Sequence, residues 1–199
     1  LNVQRASFTN PLLKAFITAG EEAGYPLSDD LCGYRQEGFG VLDSTVHKGE
    51  RWSTARAYLD PVRNNKNLQI VTKALVQKLH FDGTTAKSVS FLDQFGQDKS
   101  VSANKEIILC AGAVGTPHVL MLSGIGPRAH LEQHGIDIVA ELPGVGQNLN
   151  EHPDFVLKYK CKEPVTLWPK TKIWNRVLIG AEWFLKKTGV CASNHFEVV

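Results

Sequence analysis

The sequence predicts a mixed α/β and α+β protein divided between two domains, and three observations carry that prediction. Residues 106–126 read as a buried strand, a glycine-tight crossover and a helix, the local unit of an α/β layer. Residues 75–103 read as a three-stranded antiparallel meander with Asp82-Gly83 as a hairpin turn. Residues 172–187 place apolar side chains at 173, 174, 177, 178, 181, 184 and 185, the spacing of one helical face.

Each element has its own local cause. Asn10 is placed to cap a helix whose first residue is Pro11; Leu12, Leu13, Phe16 and Ile17 form its apolar face and Gly24 stops it. Residues 25–50 are rich in Gly and Asp and read as loop, with Phe39-Gly40-Val41-Leu42 a short strand at best. Residues 54–59 read as a short helix ended by Asp60-Pro61, and 68–72 as a strand. In the meander, Leu75, Leu79 and Phe81 are expected on one face and Val76, Lys78 and His80 on the other. The strand at Ile107 leads to helices at 117–122, opened by Thr116-Pro117, and 127–134. Residues 137–142 and 154–161 read as strands around a loop at 143–149. The helix over 172–187 pairs Glu182 with Lys186 at i,i+4 and ends at Gly189, and a last strand starts near Ala192.

Composition excludes several function classes. With 43% hydrophobic and 21% charged residues the chain is an ordinary globular one. A net charge of +2 with mixed signs gives no basic stripe for nucleic acid. Cys32, Cys110, Cys161 and Cys191 are widely spaced, so neither a metal pair nor a disulfide framework is expected, and a reducing compartment is. No apolar run approaches the ~20 residues of a spanning helix. The chain begins at Leu1, holds one methionine and stops in what reads as mid-strand, so it is expected to be an internal piece of a longer protein.

The residues that carry chemistry lie in four segments. Ala111, Gly112 and Ala113 form a run of tiny side chains where backbone can approach a ligand closely, followed by Thr116-Pro117 and the turn Ser123-Gly124-Ile125-Gly126. With residues 67–83 and the loop Leu142-Pro143-Gly144-Val145-Gly146 through Glu151, His152 and Pro153, this resembles the glucose–methanol–choline (GMC) oxidoreductases, FAD enzymes that oxidise alcohols. The resemblance spans essentially the whole chain. Departures are Ser88 and Cys191 where the family tends to have Gly, Glu151 where it usually has Asp, and Val198-Val199 in place of small residues.

The resemblance implies a part of an FAD-binding domain over 54–150, lacking the N-terminal GxGxxG unit, between a connecting or substrate-domain segment at 1–53 and an antiparallel-sheet substrate-domain part at 151–199. It implies FAD contacts at Val76, through its backbone to the adenine edge, and at Ala111, Gly112 and Ala113. His152 is read as structural. The stretch from Gly189 through Glu197, together with residues 33–40 and 161–165, is most similar to the members that convert choline to betaine aldehyde. Choline's cation needs aromatic faces and a carboxylate, for which Glu197 is the candidate, with His195 on the same strand face. The family's catalytic His with a second His or Asn is expected downstream, so no catalytic residue is assigned in this chain and the piece alone is expected to be inactive. A GMC enzyme on a neutral alcohol or sugar, and a non-catalytic interaction module, are the alternatives. Partners are a small-molecule alcohol and an electron acceptor the sequence does not identify; homo-oligomerisation stays open. The expected location is the cytoplasm or the periphery of an inner membrane.

Two patterns are rejected as decoys. Gly124-Ile125-Gly126-Pro127-Arg128-Ala129 matches GxGxxA, but a dinucleotide fingerprint follows a strand, and here a helix precedes it. His130 and His134 stand at i,i+4, but Leu131 occupies the position where the zincin motif needs Glu, so no metal is expected.

Overall fold

A computed structural model describes residues 1–6, 9–193 and 196–199. In chain order its elements are β1 Gln4–Arg5, α1 Pro11–Glu22, β2 Asp43–Ser44, β3 Val46–His47, β4 Glu50–Arg51, β5 Leu75–Asp82, β6 Thr85–Leu92, β7 Asp98–Ser102, α2 Gly112–Leu122, β8 Ile125–Gly126, α3 Arg128–Gln133, β9 Ala140–Glu141 and α4 Arg176–Lys186. Helices and small sheets are mixed, as the sequence predicts. The chain divides into two compact units, Leu1–Leu68 with Leu157–Val199, and Gln69–Val156. Residues 54–68, expected with the middle portion, fall in the first unit.

In the first unit, Asn10 caps α1 as predicted: its Oδ1 accepts the Leu12 N–H at 2.9 Å, with Pro11 at the first helical position. Gly24, at φ +85°, turns the chain out of the helix. Gly20 sits inside α1 because the Phe39 ring lies on it; an added Cβ would fall 2.5 Å from that ring. Phe39 also meets Phe16 and Tyr25, at centroid distances of 5.2 and 5.6 Å. Past Phe39 the backbone is extended and pairs with the C-terminal segment. Gly40 and Val199 exchange two bonds of 2.8 and 3.0 Å, and the Leu42 N–H donates to the Glu197 carbonyl at 2.9 Å. This pairing, with one bridge between Val41 and Val198, replaces the last strand expected from Ala192, where a 3-10 turn Val190–Ala192 stands instead.

The β3–β4 hairpin turns through Lys48 and Gly49, both at positive φ (50° and 71°), as a type I′ turn requires. It is clasped to the end of α4. Trp183 Nε1 donates to the Gly49 carbonyl at 2.7 Å, and Lys187 Nζ lies 2.9 Å from Glu50 and 3.9 Å from the Trp183 ring centroid. Arg56 pairs with the same carboxylate. These bonds, Arg56 first and Lys187 second, hold the Glu50 carboxyl below the usual carboxylate range.

Residues 54–59 form a π-helical turn, Ala55–Leu59, that runs on into a 3-10 turn through Pro61, not a helix ended there. α4 starts at Arg176, after a 3-10 turn at Ile173–Asn175, and Lys187 at φ 56° takes its left-handed end position ahead of Gly189. Glu182 accepts the Thr188 hydroxyl at 3.3 Å, which supplants the predicted pair with Lys186.

The second unit is built on the predicted meander, in the order β5-β6-β7. Asp82 pairs with Thr85, and Gly83 takes φ +57° at the first turn position. Irregularities at Val76/Lys78 and His80/Phe81 break the strict alternation, so Leu79 is buried (4% exposed) while Leu75 is 67% exposed.

α2 packs on β5, and the junction is Ser123. Its hydroxyl donates to the Val119 carbonyl at 2.6 Å and accepts the Leu79 N–H at 2.9 Å, in a site where the serine is 1% exposed. Gly124 follows at φ +85°, and an added Cβ would meet the Asp137 carbonyl oxygen. The Gly124 carbonyl takes the Val139 N–H at 2.8 Å, which starts the parallel β8–β9 pair, and Leu131 of α3 is fully buried below it. The Ser-Gly-Ile-Gly turn is thus a packing joint. Ser123→Ala leaves the Leu79 N–H buried without its acceptor, and is expected to cost about 2 kcal/mol in equilibrium unfolding of the full-length protein. An unchanged midpoint would remove the joint.

Other predicted features differ as well. Residues 68–72, 106–110 and 154–161 form no strand among the described residues, with Ile108, Phe155 and Tyr159 exposed at 73, 82 and 86%. A strand is a pairing as well as a propensity, and local sequence supplies only the second. The start of α2 differs too. It begins at Gly112, five residues before Pro117, because the φ of +83° that glycine allows lets the chain enter the helix there. Thr116 Oγ1 then accepts the Ala111 N–H at 3.1 Å. No helix among the described residues is long and apolar enough to cross a membrane.

Candidate functional site

The expected cofactor residues all lie in the second unit. Val76 stands on β5, an edge strand, opposite Phe91 and beside the irregularity, and is 39% exposed. An edge strand leaves one row of backbone groups outside the ladder, the kind of surface that can read a flat polar ring edge. Ala111 is the N-terminal flanking residue of α2, and no side chain caps that end. Ala111, Gly112 and Ala113 are all exposed, and the place where a Cβ on Gly112 would stand is open, with nothing within 4 Å. A helix start with free N–H groups, minimal side chains and open space in front fits a negatively charged dinucleotide backbone. The residues present therefore fit FAD.

The expected substrate residue lies in the first unit. Glu197 is half-buried and lines a cleft of about 1330 Å³ whose described walls come from residues within 4–6, 9–11, 44–49, 164–170 and 175–193. Its backbone carbonyl is fixed by Leu42, and its Oε1 accepts the Ser193 hydroxyl at 3.0 Å. Ser193 was not among the residues the sequence singles out; its four-residue spacing from Glu197 was the signal available. His195 lies outside the described residues.

The cleft's charge is mixed. Arg5, Lys48, Lys170, Lys186 and Lys187 line it against Glu182 and Glu197. The aromatic faces expected for a quaternary ammonium are not among its described lining residues. His130 of α3 and His134 just past its end stack edge to face on each other, 4.8 Å between centroids, and no group of three or more His, Cys, Asp or Glu among the described residues could hold a metal ion.

Comparison with known proteins places the chain among relatives. Residues 1–154 match a family described as GMC oxidoreductase. The chain is 51% identical over 189 residues to an oxygen-dependent choline dehydrogenase of Burkholderia ambifaria, covering 94% of this chain and 33% of that protein. A protein of the same name from Burkholderia multivorans is 50% identical over 190 residues, with the same coverage. The chain thus spans about a third of the length of the curated relatives it matches. Among solved structures, a formate oxidase superposes with a TM-score of 0.87 at 26% identity, over 98% of this chain and 34% of that one. An FAD-dependent oxidoreductase from Chaetomium thermophilum gives 0.82 at 29% identity, over 99% and 35%.

Proposed function

This chain belongs to the GMC oxidoreductase family, and from that premise we propose that the full-length protein is an FAD-dependent oxidoreductase that converts choline to betaine aldehyde. The half identity to choline dehydrogenases carries the reading, supported by a carboxylate, Glu197, held in the wall of a cleft. Oxidation of the alcohol removes one proton and one hydride. FAD, when bound, supplies the hydride acceptor. The contribution of this chain is positional. Ala111, Gly112 and Ala113 let the cofactor's charged backbone come close to the open end of α2, and the Val76 backbone meets its adenine edge. Glu197 opposes the trimethylammonium charge and so fixes which end of choline points inward. No residue of this chain is assigned as the base. His195 is kept as a second candidate for the pocket wall.

The reading extends to partners and place. The substrate is a small alcohol, the final electron acceptor is a separate molecule, and the protein works in the cytoplasm or against an inner membrane.

A second reading, a neutral alcohol as substrate, is favoured by one observation: the described cleft wall carries more cationic than anionic side chains and no aromatic face. The test is the visible spectrum of the purified full-length protein. Oxidised-flavin bands that choline bleaches without oxygen are the expected result. Bands that only a neutral alcohol bleaches would transfer the assignment to the second reading.

A further inference from the structure

We propose that the cleft of the first unit contains an anion subsite at the joint between the β3–β4 turn and the end of α4. Lys48, Lys186 and Lys187 form it, and its ligand is a small oxyanion with two or more negative charges, a phosphate or a dicarboxylate. The subsite does not depend on which alcohol the protein oxidises.

The backbone brings these lysines to one place. The Gly49 carbonyl accepts the Trp183 Nε1–H at 2.7 Å, and a Cβ added to Gly49 would fall on the Lys187 carbonyl oxygen. The hairpin turn therefore rests on the end of α4 and carries Lys48 to it. Lys186 is the last residue of α4 and Lys187 follows it, where the unpaired carbonyls of a helix end favour cations. All three line the cleft, and so does Lys170. Lys48 takes φ +50° in a type I′ turn, a position that ordinarily goes to Asn, Asp or Gly. A lysine there forgoes the residue best suited to the turn and brings a charge to the cleft instead.

The nearby carboxylates do not consume this charge. Glu50 is shared between Arg56 and Lys187. Glu182, one turn before Lys186, accepts the Thr188 hydroxyl at 3.3 Å. Among the described residues, Lys48, Lys170 and Lys186 enter no ion pair. Like charges gathered at one joint repel, and a cleft wall screens them less than open solvent does. An anion with several oxygens removes that repulsion. Lysine suits such a ligand, because each ammonium has three donors and no fixed fork, so three of them can meet oxygens from different directions. Lys187 has donors beyond the one that meets Glu50. A cleft of about 1330 Å³ has room for the ion.

The test is calorimetric titration of the full-length holoenzyme, whose phosphate-binding surface is already filled by FAD. The probes are inorganic phosphate and succinate, against sodium chloride at the same ionic strength. Saturable binding of at least one probe, absent with chloride, is expected, and the tighter of the two tells a phosphate site from a dicarboxylate site. Lys48→Asn is expected to weaken that binding about tenfold, the size of one hydrogen bond to a charged group, without lowering the unfolding midpoint, because Asn suits the turn. Lys186→Gln is expected to weaken it by a similar factor. Lys162→Gln, an exposed lysine outside the cleft, is expected to change nothing. The subsite is overturned if neither probe binds saturably beyond chloride, or if either Lys48→Asn or Lys186→Gln leaves the affinity unchanged.

Discussion

Glu197→Gln is expected to raise the KM of the full-length protein for choline by roughly 30- to 150-fold more than for its neutral isostere, equivalent to about 2–3 kcal/mol of lost charge attraction at an intermediate dielectric. The direction follows from the company Glu197 keeps. Five cationic side chains and two carboxylates line the described part of the cleft. Replacing Glu197 by an amide of the same shape leaves five cationic side chains against one carboxylate, so the substrate's cation meets a more positive wall. Gln retains an acceptor for the Ser193 hydroxyl, so that bond survives the substitution. Steady-state kinetics with both alcohols decides the matter. Equal effects on the two would remove choline as the assigned substrate and leave a GMC enzyme for a neutral alcohol.

Gly49→Ala is expected to be the most destabilising small substitution in the first unit, by about 4 kcal/mol, combining left-handed strain with overpacking against backbone. Gly49 has φ +71° in a two-residue turn, and its added Cβ would sit against the backbone carbonyl oxygen of Lys187. Neither party can yield cheaply. The Gly49 carbonyl is held by Trp183 Nε1 at 2.7 Å, and Lys187 is held by Glu50 at 2.9 Å. Gly83→Ala is the control. It has a similar φ of +57° but nothing within 4 Å of its added Cβ, so only the strain of about 1 kcal/mol remains. Thermal or denaturant unfolding of the two full-length variants, side by side, measures the difference; equal losses would mean that the hairpin is not clasped to α4.

How far the sequence could be read depended on how local the cause was. The Asn10 cap, the Gly24 stop and the hairpin after Asp82 are settled by a residue and its near neighbours, and they stand where the sequence places them. The small-residue run at 111–113 was legible for the same reason, since the absence of side chains is a property of the residues themselves. The helix start was not. Pro117 is a common first residue, but Gly112 could enter the helix earlier, and a proline signal does not exclude a glycine one. The role of Ser123 was hidden altogether, because its acceptor and donor partners include Leu79, far away in sequence.

Sequence by itself determined the family's ordered motifs, the meander and the identity of the carboxylate at 197, because motif, alternation and residue type are written in the chain. Tertiary structure decided what those pieces meet. It paired 40–42 with 197–199, which brings Glu197 into a cleft walled by segments more than 150 residues apart. It set Ser193 against the carboxylate, and it turned the Ser-Gly-Ile-Gly signature into a joint between helix and strand. It also left 68–72, 106–110 and 154–161 without strand pairing among the described residues. The physical reason is common to all of these. Propensity is a property of a segment, whereas pairing, enclosure and hydrogen-bond satisfaction belong to two segments at once, and only the folded chain brings the second to the first.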